Sequence, residues 1–278
     1  MAKVLNIGLD VGSTTVKAVV LNDKKEILYK EYRRHFSDTK KTIKDLLDEI
    51  IKKYPKESFT MTLTGSGAIA LAKFLKVNFV QEVIACKNAI KEYAPRADVC
   101  IELGGEDAKI IYFDQTIEQR MNGTCAGGTG AFLDQMAVLL NTTTEGLNDL
   151  AKNGTTIYPI ASRCGVFAKT DIQPLLNEGA KREDVALSIL QAVVNQTISG
   201  LACGKPIRGN VIFLGGPLNY LSMLRERFIK TLDLKDDEII VPEDAKLFVA
   251  IGAVLDKEKK KEFSNKELVN IKNNLEIL

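Results

Sequence analysis

The sequence predicts two related α/β domains, each built on a mixed sheet. A nine-residue pattern of apolar, acid, apolar, Gly, small, two polar, apolar and Lys occurs at residues 9–17 and again at 101–109, with a constant offset of 92. Each copy sits in a run of strand-like residues, and each run gives way to alternating helical and strand periods. Two further glycine clusters, at 126–130 and 215–217, argue that the repeated turns do more than reverse the chain.

The chain enters through an apolar strand at 4–9. The first copy, Leu9-Asp10-Val11-Gly12-Ser13-Thr14-Thr15-Val16-Lys17, leads through its glycine turn into a strand at 17–21. A polar turn at 22–24 and a third strand complete a hairpin ribbon. Residues 39–54 then place Ile43, Leu46, Leu47, Ile50 and Ile51 on one helical face. A strand at 59–63, a helix at 66–75, a short strand at 78–80 and a helix at 84–93 follow. The second copy, Ile101-Glu102-Leu103-Gly104-Gly105-Glu106-Asp107-Ala108-Lys109, repeats the ribbon with a strand at 109–113 and a turn at 114–116. Helices are expected at about 126–140, at 144–152, from near Cys164, and at 182–203. A strand at 211–214, a helix at 218–229, a strand at 238–241 and a closing helix at 243–256 end the pattern. The first domain is expected at 1–95, completed by the C-terminal helix at about 245–278, and the second at 96–244. The charged segment 257–278 is expected to be a solvated helix or linker.

Composition narrows the partners. With 45% apolar and 27% charged residues the chain is of soluble globular type. A net charge of +2 provides no electrostatic case for nucleic acid or an anionic membrane. No signal-peptide layout precedes the first strand, no apolar run approaches the length of a membrane helix, and the cytoplasm is the expected compartment. Of five cysteines, none forms a CxxC pair, and a disulfide framework is not expected. Cys86, Cys100 and Cys203 read as small buried residues. Cys125 and Cys164 lie among glycine and polar neighbours and are candidate metal ligands, with buried packing as the alternative. The single histidine, His35, allows no His-based metal site or Ser-His-Asp triad and is expected at an exposed strand end.

Phosphates require backbone N–H donors, small hydroxyls and a counter-charge. Gly12, Ser13, Thr14 and Thr15 are candidates to wrap a terminal phosphate, with Asp10 orienting Mg²⁺ through water. Gly104 and Gly105 are the matching jaw across a cleft, with Glu106 or Asp107 contacting metal-bound or attacking water. Gly127, Gly128 and Thr129, in the glycine run beside Cys125, bring further amides toward an anion. Gly215, Gly216 and Pro217 follow a strand and open a helix, as expected against an adenosine. Lys17 and Lys109 stand between a phosphate contact and a solvated strand face. Pro242 either borders the adenine or simply ends its strand, and Arg163 and Lys169 are expected at the surface.

Residues 10–17, 102–109 and 214–217 resemble the phosphate and adenosine motifs of the acetate and sugar kinase, Hsp70 and actin superfamily. Within it, residues 122–130 followed by Ser162-Arg163-Cys164-Gly165-Val166-Phe167-Ala168 resemble the activator ATPases of 2-hydroxyacyl-CoA dehydratases and benzoyl-CoA reductases. The resemblance runs from about residue 4 to 255. It implies duplicated ribonuclease H-like domains with an interdomain nucleotide cleft that binds ATP or ADP with Mg²⁺. It also implies a homodimer sharing one [4Fe–4S] cluster, with Cys125 and Cys164 of each subunit as ligands. Its activity would be transfer of one low-potential electron, drawn from ferredoxin or flavodoxin, to a partner iron–sulfur dehydratase or reductase. A one-electron step of ~300 mV uphill costs on the order of 7 kcal/mol. Reversing a two-state equilibrium from 1:99 to 99:1 takes about 5.5 kcal/mol, so two nucleotide sites acting on one cluster make physical sense.

The chain departs from that pattern where Glu102 replaces the usual Asp and Glu106 the usual Gln. Residues 200–209 and the charged tail look like forms of the module found at the head of longer fused proteins. Two rival readings stand beside the activator. A sugar or carboxylate kinase would use Asp107 as base, and a non-catalytic actin-like module would not depend on Cys125 or Cys164.

Overall fold

The computed structural model describes residues 3–114, 116–122, 127–161 and 164–276. The chain divides into two compact units, Met1–Pro95 with Leu247–Leu278, and Arg96–Lys246.

In the first unit, β1 (Val4–Val11), β2 (Thr15–Leu21) and β3 (Ile27–Arg34) form an antiparallel ribbon. The chain crosses through α1 (Thr39–Lys53) to β4 (Ser58–Thr64), which lies parallel to β1. Next come α2 (Ala68–Leu75), β5 (Asn78–Phe79) parallel to β4, and α3 (Glu82–Tyr93). β1 is nearly continuously buried because it is central and covered on both faces, whereas β3 is partly exposed along its length as an edge strand is. Asp38 caps α1 by accepting from the Lys41 amide, and Ile43, Leu46, Leu47 and Ile50 form its buried stripe.

The second unit repeats the plan. β6 (Val99–Leu103), β7 (Ala108–Phe113) and β8 (Ile117–Met121) form the antiparallel ribbon. The helices α4 (Gly130–Leu139), α5 (Thr144–Ala151), α6 (Gly165–Asn177) and α7 (Arg182–Thr197) precede β9 (Val211–Leu214), which is parallel to β6. After α8 (Gly216–Tyr220) and α9 (Ser222–Leu232), β10 (Ile239–Ile240) pairs parallel with β9, and the sheet order is β10-β9-β6-β7-β8. Residues Arg182–Ala202 are long and apolar enough to cross a membrane, yet 72% of the apolar window is buried inside the protein. Val185, Ile189, Leu190, Val193 and Val194 show why: α7 is the central helix of this unit's core.

The chain then returns to the first unit as α10 (Phe248–Val254), β11 (Glu262–Phe263) and α11 (Asn265–Asn274). This corrects the expected solvated tail. β11 pairs antiparallel with β4, and Ser264 and Glu267 form a capping box that starts α11. Phe263, Leu268, Ile271 and Leu275 enter the first core, and Lys272 lies 2.5 Å from Asp48 of α1. Lys and Glu dominate the segment's composition, but those four apolar residues fall on its inner face.

Two expected helices are interrupted. The 182–203 helix ends its α-form at Thr197 and continues as a π-helical turn through Ala202. Cys203 follows at φ 44° and is exposed, contrary to the buried position expected for it. The 218–229 helix is split by Leu221, whose extended backbone separates α8 from α9.

Candidate functional site

In the first unit, β1 and β2 pair Asp10 with Lys17 and close on a four-residue turn in which the Gly12 amide donates to the Thr15 carbonyl at 3.0 Å. Asp10 is buried, and its Oδ2 lies 2.9 Å from Lys17 Nζ. Lys17 is therefore bound to the motif's own acid and is not a solvated strand residue. Ser13 is exposed at the turn tip, Thr14 is half-buried and Thr15 is buried.

β4 ends beside this turn, with Thr64 paired to Asp10 in register. The Thr64 hydroxyl is buried and has no hydrogen-bond partner among the described residues. Gly65 follows at φ +102°, where a β-carbon would stand 2.3 Å from the Val11 carbonyl oxygen and 2.7 Å from Asp10 Oδ1. The Gly67 amide donates to that same Val11 carbonyl at 3.0 Å. The sequence reading passed over Gly65-Ser66-Gly67, although strand, glycine cluster, helix is the signal it applied to Gly215-Gly216-Pro217. His35, expected to be exposed, is buried against the first turn. Gly12, Ser13, His35, Ser66 and Gly67 line a cavity of about 420 Å³.

The second turn copies the first: Glu102 pairs with Lys109, and the Gly104 amide donates to the Asp107 carbonyl at 2.8 Å. The lysine chooses differently, however. Lys109, buried and not solvated, places Nζ 2.7 Å from Asp107 Oδ2 and 4.0 Å from Glu102 Oε2. Asp107 occupies the position that Thr15 holds in the first copy, so only the second copy offers that lysine a nearer carboxylate. Glu106 is exposed at the tip.

Two further glycine clusters of the second unit converge on this turn. The Gly130 and Ala131 amides at the start of α4 donate to the Gly104 and Gly105 carbonyls at 3.0 and 2.7 Å. A β-carbon on Gly130 would lie 3.4 Å from Pro217 Cγ, and one on Gly215 would lie 2.0 Å from the Leu103 carbonyl oxygen. Gly127, Gly128 and Thr129 are buried, with Gly128 packed beside Gln196 and Thr197, so they form no open loop. Four contacts around the Gly215–Pro217 cluster had no sequence signal. Arg225, whose guanidinium is pushed below its usual value by burial, donates to the Leu218 and Asn219 carbonyls. The Gly215 amide donates to the Ala245 carbonyl, and Lys246 Nζ stands 4.6 Å over the Tyr220 ring.

Cys164 is the N-cap residue of α6 and is half-buried, whereas Cys86 and Cys100 are fully buried as expected. Val166 and Phe167, directly after it, are 69% and 64% exposed. Cys125 and Arg163 lie outside the described residues, and Lys169 is exposed. The segment 155–161, outside any helix or strand, leads toward Cys164, and side chains hold its backbone. Asp184 accepts from the Thr155 and Thr156 amides at 2.7 and 2.9 Å, Ser188 from Tyr158 at 2.8 Å and Asp171 from Ala161 at 2.8 Å. The two amides hold the Asp184 carboxyl below the usual carboxylate range. A depressed folded-state pKa stabilises the fold above the unfolded value of about 3.9, and that stabilisation is lost as pH falls through the lower folded value. Amide protection factors at Thr155 and Thr156 should therefore be flat above about pH 5 and fall only in stronger acid. In Asp184→Asn they should be low throughout. A fall centred near pH 6.5, the ordinary histidine range, would reject this origin.

Residues 7–256 match the BadF/BadG/BcrA/BcrD ATPase family. A 2-hydroxyisocaproyl-CoA dehydratase activator of Clostridioides difficile is 30% identical over 273 residues, which cover 95% of this chain and 99% of the relative. The crystal structure of (R)-2-hydroxyglutaryl-CoA dehydratase component A from Acidaminococcus fermentans matches with a TM-score of 0.80 and 26% identity, covering 96% of this chain and 99% of that one. An activator of the 2-hydroxyisocaproyl-CoA dehydratase from Clostridium difficile, solved with bound ADPNP, has a TM-score of 0.75 at 24% identity over 99% and 98% of the two chains. The two mixed sheets are those of the duplicated ribonuclease H-like, actin-like ATPase fold.

Proposed function

The chain belongs to the BadF/BadG/BcrA/BcrD ATPase family, and from that premise we propose that it is an ATP-dependent one-electron activator of a partner iron–sulfur dehydratase or reductase. Its working form is a homodimer in which Cys125 and Cys164 of each copy hold one [4Fe–4S] cluster, recharged by ferredoxin or flavodoxin. When bound, that cluster supplies a single low-potential electron.

The position of Cys164 carries this reading. Its side chain stands at the start of α6, where first-turn amides and the positive end of the helix dipole would face a bound anionic cluster. Cys125 and the same pair of cysteines from a second copy would complete its ligand set. The exposed Val166 and Phe167 offer that second copy an apolar face.

Ser13 and the amides of the Ser13–Thr15 stretch would receive a terminal phosphate, while Asp10, held by Lys17, would hold Mg²⁺ through water. Gly104 and Gly105 face the remaining phosphates, with Gly215, Gly216 and Pro217 against the adenosine. Glu106 is better placed than Asp107 to position attacking water, because Lys109 already engages the Asp107 carboxylate. Gly127, Gly128 and Thr129 support the helix that abuts the second turn.

Protein prepared without oxygen should be brown and dimeric, with about four irons per two chains. It should hydrolyse ATP, and Cys125→Ser and Cys164→Ser should each lose the iron. A strictly monomeric chain, or full iron retention in both variants, rejects the cluster assignment.

A further inference from the structure

We propose that His35 is a positioning residue for the first phosphate turn. The inference rests on the nucleotide reading above. Hydrogen bonds link the residue both to the turn and to its own loop. The His35 amide donates to the Thr14 carbonyl at 3.2 Å. Its ring Nε2 lies 3.2 Å from the Gly12 carbonyl oxygen, and its Nδ1 accepts from the Ser37 amide at 3.1 Å. An Nδ1 that accepts an amide carries no hydrogen, so Nε2 bears the proton and donates to Gly12. The ring is thus a neutral bridge between the turn and the loop that starts α1.

The loop is shaped to hold the ring there. Phe36 and Ser37 are consecutive non-glycine residues at φ 45° and 67°, a conformation that side-chain-bearing residues adopt at a cost. That reversal brings the Ser37 amide back onto the imidazole, and the Asp38 amide, at the cap of α1, donates to the His35 carbonyl at 2.7 Å. Phe36 is 85% exposed, so no core packing demands the kink. What the kink secures is the hold on the Gly12 and Thr14 carbonyls, which share their peptide planes with the Ser13 and Thr15 amides. With those carbonyls turned toward His35, the amides on the other side of their peptide planes are left oriented for phosphate.

Two substitutions separate the contacts, because a glutamine amide nitrogen can take the place of Nε2 and an asparagine oxygen that of Nδ1. ADP with Mg²⁺ should bind His35→Gln within about twofold of the parent, while His35→Asn, which keeps the loop but frees Gly12, should bind about five- to tenfold more weakly. In ATP hydrolysis the Asn variant should show its loss mainly in KM. Because His35 is the sole histidine, nitrogen spectra of isotope-labelled parent protein report it without any variant. They should show the Nε2–H tautomer, and its resonances should move when ADP and Mg²⁺ bind. An Nδ1–H tautomer, resonances indifferent to bound nucleotide, or equal affinities for parent, Gln and Asn overturns the proposal. A parent that binds no nucleotide overturns the broader reading instead.

Discussion

Removal of residues 257–278 is expected to unfold the first unit and not to trim a linker. The segment adds β11 to the free edge of β4 and lays α11 along α1, so its loss uncovers both elements. Leu268 is fully buried, and Leu268→Ala alone should cost about 2–5 kcal/mol, the usual range for emptying such a site. At about 2–4 °C per kcal/mol, that single change should lower the melting temperature by roughly 4–20 °C. Truncation removes Phe263, Ile271 and Leu275 as well, and therefore should leave no cooperative transition for this unit by circular dichroism or calorimetry. A truncated chain that melts with the full-length protein would contradict the packing described for α11.

Gly215→Ala should be the most damaging single change in the nucleotide machinery. Gly215 has φ +91° with ψ 164°, a region open almost only to glycine. An added β-carbon would meet the Leu103 carbonyl oxygen at 2.0 Å and its carbon at 2.8 Å, and both are backbone atoms of a central strand. Strain and collision together should cost about 2–5 kcal/mol and displace the start of α8. Titration with ADP and Mg²⁺ should show at least about a tenfold loss of affinity, since 1.4 kcal/mol suffices for that factor. Gly104→Ala provides the contrast. Its β-carbon would strike Asp107 Oδ1 at 2.0 Å, but a carboxylate can rotate away. Equal losses in the two variants would show that backbone collision is not the cause.

Much of the layout was legible because it is written in short periods. The repeated hairpins follow from alternation around Gly12 and Gly104, and cross-strand pairing of Asp10 with Lys17 and Glu102 with Lys109 follows from their symmetry about each turn. The stripe on α1 and the strand entering Gly215 were equally visible. The tail was expected to complete the first domain, but its burial was not foreseen, because average composition hid four apolar residues among many charges. Gly65-Ser66-Gly67 was missed although its signal was present.

Sequence by itself determined the duplicated α/β plan, the acid–glycine turns and the two cysteines in polar, glycine-rich settings. Tertiary structure alone decided that Lys17 stays on its acid while Lys109 turns to Asp107, that His35 is drawn under the first turn, and that Gly127 and Gly128 pack inward. The physical reason is range. Backbone period and turn chemistry act over a few residues, whereas a carboxylate's partner, a buried ring's donor or a glycine's neighbour depends on which distant segment arrives beside it.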